Sequence, residues 1–188
     1  MPKLIKDIEK NILTSAIELF GEYGFAKVDM KMISSKVGIA VGTLYNYYPN
    51  KKDLFIKSFQ KSWSGTFYKL NNIMREEVET EKKIRNFLRE VGVDSSIRKG
   101  VGREFFNKGN FDEKDRIIIE DIKDRTMNML FQLINDLREK RSFSQFREMD
   151  DKMAYSLFNL LIHLSKNNSY LKEDNVEFLF RLIDTFYR

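Results

Sequence analysis

Only two prolines interrupt this chain, Pro2 and Pro49, and none occurs between Pro49 and Arg188. Proline breaks helices from within, because it lacks a backbone N–H and clashes with the preceding turn. The long proline-free stretch is therefore open to long helices, and its apolar residues recur at helical spacing. Ile117, Ile118, Ile122, Met129, Leu130, Leu133, Ile134 and Leu137 follow three- and four-residue steps behind Asp112, a suitable N-cap. The pattern predicts helices over about 51–77, 80–92, 95–107, 113–140, 148–166 and 173–187, with glycines 92, 100, 102 and 109 as punctuation. No segment shows sustained strand alternation or a hairpin turn signal.

Upstream of Pro49 the helices are short. Ile5, Ile8, Ile12, Ala16, Leu19, Phe20 and Tyr23 form one apolar stripe, closed by Gly24 in a left-handed C′ conformation. Asp29 is an N-cap for a second helix ending near Val37, where Gly38 breaks it. A third runs from about Val41 to Tyr48 and stops at Pro49. The predicted fold class is all-α, with a three-helix N-terminal domain over 1–50 and a larger helical domain over 51–188.

Composition narrows the function. The chain has 188 residues, 42% apolar and 32% charged, which suits a soluble globular protein. No apolar run approaches the roughly 18 residues needed to span a bilayer. The first residues carry no continuous apolar h-region, which argues against a secretory signal. Cysteine is absent, excluding disulfides and thiolate metal sites and fitting a cytoplasmic setting. The net charge is +5, and residues 1–52 hold eight Lys against five Asp or Glu. A basic N-terminal end suits an anionic partner such as nucleic acid. With one His, no Gly-rich phosphate loop and no metal-spaced cluster, the sequence offers no catalytic constellation or cofactor site.

The second and third helices are joined by only Gly38-Ile39-Ala40. Small residues at Ser34 and Gly38 permit close approach and a tight turn, while Ile33, Val37, Ile39, Leu44 and Tyr48 supply the inner face. This is the logic of a helix-turn-helix, in which the second helix is held outward for the major groove.

The stretch "ILTSAIELFGEYGFAKVDMKMISSKVGIAVGTLYNYYPNKKDLF", residues 12–55, resembles the DNA-binding domain of the TetR family of transcriptional regulators. Its "GTLYNYYPNKKDLF" lies close to the family pattern Gly-Thr-Leu-Tyr-x-Tyr-Phe-x-x-Lys-x-x-Leu. Ala40 departs from the family's frequent Ser or Thr, so the third helix lacks a side-chain cap; Ser34 replaces the usual Ala. The resemblance implies a homodimeric regulator, most often a repressor, that binds a palindromic double-stranded DNA operator and is released by a small-molecule effector. A TetR-type activator, or a helical ligand-binding protein that no longer binds DNA, are the alternative readings.

At 100° per residue, placing Leu44 at the core sets Tyr48 and Val41 within about 60° of it and turns Gly42, Thr43 and Asn46 outward, with Tyr45 and Tyr47 on the flanks. Together with the resemblance, this gives the DNA-binding set Lys31, Val41, Gly42, Thr43, Tyr45, Asn46, Tyr47 and Lys51. Asn46 can read an adenine edge, Thr43 can meet a phosphate or thymine methyl, and Lys51 can contact the backbone. Lys36 and Lys52 read as solvated charges.

In the larger domain the resemblance implies an effector pocket, for which Phe59, Trp63, Phe67, Phe105, Met127 and Phe131 are the candidates. "RKGVGRE", with Arg98, Lys99 and Arg103, reads as a solvated loop. The last two helices carry apolar residues on more than one side, as an association face requires. Leu157, Phe158, Leu161, Leu164, Phe178, Leu182 and Phe186 are the dimer candidates. His163 is read as a packed or rim residue of that face.

Overall fold

The computed structural model describes residues 7–98, 111–143, 147–166 and 173–188. Among them are eight α-helices and no strand: α1 (Ile8–Tyr23), α2 (Met30–Val37), α3 (Val41–Tyr47), α4 (Lys51–Arg75), α5 (Thr80–Ile97), α6 (Glu113–Lys140), α7 (Asp150–Lys166) and α8 (Glu173–Phe186). A 3₁₀ turn, Arg147–Met149, leads into α7.

Side chains predicted as caps do cap. The Met32 N–H donates to Asp29 Oδ1 at 2.8 Å. Asp112 and Asp115 satisfy each other's backbone N–H groups at 3.0 and 3.1 Å, a reciprocal box at the start of α6. Asn50 and Asp53 form a similar arrangement at the start of α4, where the Asp53 N–H donates to Asn50 Oδ1 at 2.8 Å and Asn50 Nδ2 donates to Asp53 Oδ2 at 3.0 Å.

Two local expectations need correction. The break at Gly92 is not there: α5 runs unbroken from Thr80 to Ile97. Glycine inside a helix costs about 1 kcal/mol relative to alanine. Here Phe87, Leu88 and Val91 are all fully buried on the preceding turns, and that burial outweighs the cost. The predicted helix over 95–107 falls largely outside the described residues, as do Gly100, Gly102 and Gly109. Gly24 does close α1, its N–H donating to the Phe20 carbonyl at 2.9 Å, but with φ 81° and ψ 160°. That is the positive-φ extended region open essentially to glycine alone, not the left-handed helical one.

The chain packs as two compact units, Met1–Gly65 with Arg98–Ile119, and Thr66–Ile97 with Glu120–Arg188. The first is built on Ile12, Ala16 and Phe20 of α1, Ile33 of α2, Leu44 of α3 and Leu54 and Phe55 of α4, each at most 1% exposed. Phe20, Phe25, Phe55 and Phe111 form an aromatic cluster with centroid separations of 4.8 to 5.9 Å. In the second unit α5, α7 and α8 pack on one another around Ile84, Phe87, Leu157, Leu161, Leu179 and Ile183. A buried polar knot lies beside them: Arg138 Nε donates to Asp150 at 2.8 Å, and the Tyr187 hydroxyl donates to the same carboxylate at 2.5 Å. Arg138 also donates to Asn135 Oδ1 at 2.6 Å.

Candidate nucleic-acid interface

The turn between α2 and α3 is made by one backbone choice. Gly38 sits at φ 79° and ψ 34°, and the N–H groups of Gly38 and Ile39 both donate to the Ser34 carbonyl, at 2.9 and 3.0 Å. A side chain in that conformation is strained, which is why glycine stands here. Ser34, 3% exposed, donates its hydroxyl back to the Lys31 carbonyl at 3.0 Å and so adds no unsatisfied polar group to the close contact.

The turn leaves α3 almost uncovered. Leu44, fully buried, is its only buried residue. Tyr45 is 49% exposed, Tyr47 43% and Val41 41%; Gly42 and Asn46 are exposed and Thr43 half-buried. Val41 is thus more open than its angle to Leu44 suggests, because at the first position of α3 nothing covers it. A Cβ built on Gly42 would meet nothing within 4 Å, so the fold itself makes no steric demand for glycine there. Ala40 provides no side-chain cap, as expected.

Tyr48, the residue after α3, faces inward. It is 6% exposed, and its hydroxyl donates to Glu9 Oε1 at 3.2 Å. Burial, then the Glu9 charge and hydrogen bond, push its pKa up to about 12. No residue of α3 is charged, so positive charge must come from its neighbours. Lys31 on α2 is exposed. Lys36 pairs with Glu18 at 3.0 Å. Lys51 is half-buried and donates to the Phe25 carbonyl at 2.7 Å. Lys52 is half-exposed and ion-paired, its ammonium bonding Asp112 at 3.0 Å and Asp115 at 2.9 Å.

The remaining candidates scatter by surroundings. In the first unit Phe59 and Trp63 are buried and meet edge to face at 6.3 Å. Arg98, read from sequence as part of a solvated loop, is instead 5% exposed, with its guanidinium 4.4 Å from the Trp63 ring centroid and Nη2 donating to the Ser62 carbonyl at 3.1 Å. Its flat cation can stack on indole and still bond, which local sequence does not reveal. Lys99, Arg103 and Phe105 lie outside the described residues. In the second unit Phe67 is buried beneath Arg125 at 3.9 Å, Met127 is half-buried and Phe131 is 38% exposed. An open cleft of about 240 Å³ lies elsewhere, lined by α5 and α8 residues including Glu81, Arg85, Glu177, Phe180 and Asp184, with none of the pocket candidates.

Of the dimer candidates, Leu157 and Leu161 are closed inside the second unit at 1% and 0% exposure and leave no surface for another chain. Phe158, Leu164 and Phe186 are half-buried; Phe178 is 50% and Leu182 40% exposed. His163 is exposed.

An all-α chain whose first three helices hold a short, outward-facing second helix across a glycine turn is a helix-turn-helix protein. Residues 12–57 match the family model for bacterial regulatory proteins of the tetR family. The HTH-type transcriptional regulator YezE of Bacillus subtilis is 31% identical over 80 residues, covering 43% of this chain and 39% of that protein. The fatty acid metabolism regulator protein of the same organism is 26% identical over 73 residues, 39% of this chain and 38% of the relative. The matched segment thus spans under two fifths of these curated relatives' length. Among solved structures, the fatty acid degradation regulator FadR from Bacillus halodurans shares the fold with a TM-score of 0.75 at 21% identity, over 93% of this chain and 97% of that one. FadR from Bacillus subtilis, in complex with stearoyl-CoA, gives 0.75 at 16% identity over the same shares. These relatives are regulators, not enzymes.

Proposed function

We propose that this chain is a DNA-binding transcriptional regulator, a homodimeric repressor that binds a palindromic operator and is released by a small-molecule effector. The observation that carries the reading is the exposure of α3. A seven-residue helix with one buried side chain, two exposed tyrosines and a glycine the fold does not require suits a surface built for a partner. Thr43, Asn46 and Tyr47 supply hydrogen-bonding and stacking groups to base edges and phosphates, Tyr45 flanks them, Gly42 permits close backbone approach, and Lys31 adds charge.

Residues 1–50 form the DNA-binding part and 51–188 the effector and dimer part. A second copy packing on Phe178 and Leu182 would present two α3 helices to half-sites about one DNA turn apart or more. An effector that prefers the non-binding state by about 3 kcal/mol lowers DNA affinity more than a hundredfold. The stearoyl-CoA complex of the B. subtilis FadR makes long-chain acyl compounds a first class to test. Among the described residues no helix is long and apolar enough to cross a membrane, which is compatible with a cytoplasmic regulator.

The test is selection of bound duplexes from a random DNA pool. Recovery of a palindromic consensus supports the reading; recovery of no sequence above background contradicts it.

A further inference from the structure

The helix-turn-helix stretch, residues 26–50, is bounded by two residues bonded to each other. Lys51, the first residue of α4, sends its ammonium to the Phe25 carbonyl oxygen at 2.7 Å, and the same ammonium lies 4.4 Å from the Phe25 ring centroid. Phe25 is itself held fast. It is 8% exposed, and its ring meets Phe55 edge-on at 5.0 Å and Phe111 at 5.1 Å. Phe55 lies one turn beyond Lys51 on α4, so that helix grips Phe25 twice, once by ammonium and once by ring. Lys52 is engaged as well, by Asp112 and Asp115. Both lysines that follow α3 are therefore engaged by partners within the protein, Lys51 by a buried residue and Lys52 by carboxylates near the surface.

We infer that Lys51 is a positioning residue for DNA reading rather than a phosphate contact, a refinement that rests on the DNA-binding function proposed above. Leu44 alone is buried within α3, so the orientation of that helix depends on how the ends of its segment are fixed. The Lys51–Phe25 bond closes those ends on each other across 26 residues. Its donor is charged, which makes it stronger than a neutral hydrogen bond, and its acceptor is fixed in place by the aromatic cluster around Phe25. Reaching a phosphate would require Lys51 to leave both the carbonyl and the ring.

The test compares the wild-type chain with K51M, which keeps an apolar stem over Phe25 and lacks the ammonium. The probes are a duplex selected by the wild type from random DNA and a scrambled duplex of equal length. Binding is followed by fluorescence anisotropy at several KCl concentrations below each variant's melting transition. A positioning role predicts that K51M loses about tenfold on the selected duplex and much less on the scrambled one. The slope of log affinity against log salt stays unchanged. K51R retains the charge but replaces a point ammonium with a planar fork, so it too loses discrimination at constant slope. Equal losses of K51M on both duplexes, with a slope shallower by about 0.9, would mark a phosphate contact and overturn the inference. A lowered melting temperature with both affinities intact would reduce Lys51 to a structural role and overturn it too. A wild type that selects no duplex removes the DNA-binding reading itself, and this inference with it.

Discussion

Tyr47 and Tyr48 are consecutive in the chain, yet the first is 43% exposed and the second 6%, its hydroxyl bonded to Glu9. The helix ends between them, and Tyr48 has extended backbone at φ −137° and ψ 114°. Truncating the two must then have opposite consequences. Tyr48→Ala is expected to cost about 3–5 kcal/mol in urea unfolding, as for other large buried aromatics. Tyr47→Ala should stay within about 0.5 kcal/mol of the wild type.

Ala40 leaves the first turn of α3 without a side-chain acceptor. Its backbone is already extended at φ −65° and ψ 144°, the geometry an N-cap requires. Ala40→Ser is expected to raise stability by about 1 kcal/mol, read as a higher urea midpoint at constant m-value.

Acid should loosen the contacts that hold α8 to α5 and to the end of α6. Hydrogen bonds from Arg89, Arg85 and Arg141 hold the carboxyl groups of Glu173, Glu177 and Asp184, respectively, below their ordinary values. A depressed folded-state pKa stabilises the fold above the unfolded value and is lost as pH falls through the folded one. Melting temperature should therefore hold near neutrality and decline from about pH 4 downward. The double variant E173Q/E177Q should flatten that decline.

Phe178 and Leu182 lie one turn apart on α8, 50% and 40% exposed, while Val176, Leu179 and Ile183 are turned inward. Exposed apolar residues so arranged suit a second chain. Sedimentation of F178D/L182D is expected to give a monomer with unchanged helical content from a wild-type dimer. Leu161→Ala should instead cost about 2–5 kcal/mol of stability.

What the sequence disclosed was local and periodic. Asp29, Gly38 and Asp112 act within a few residues of their effects, so the helix ends they make could be placed directly. The outward face of α3 followed from its angle to Leu44, except at Val41, where position at the helix start decides exposure. Contacts across long sequence separations were hidden. Lys51 meets Phe25 across 26 residues, and Lys52 meets Asp115 across 63; neither spacing carries a periodic signal. The apolar excess on α7 was visible, but not that Leu157 and Leu161 face the chain's own core. Gly92 looked like a stop because propensity was legible and the burial around it was not.

The central claim, that α3 reads DNA, is tested most directly by the affinity of the T43A/Y47A double variant for the duplex that the wild type selects from random DNA. The account predicts specific binding by the wild type that weakens steeply with salt. For the variant it predicts loss of that specificity, with its melting temperature and oligomeric state unchanged. Undiminished affinity in the folded variant would contradict it.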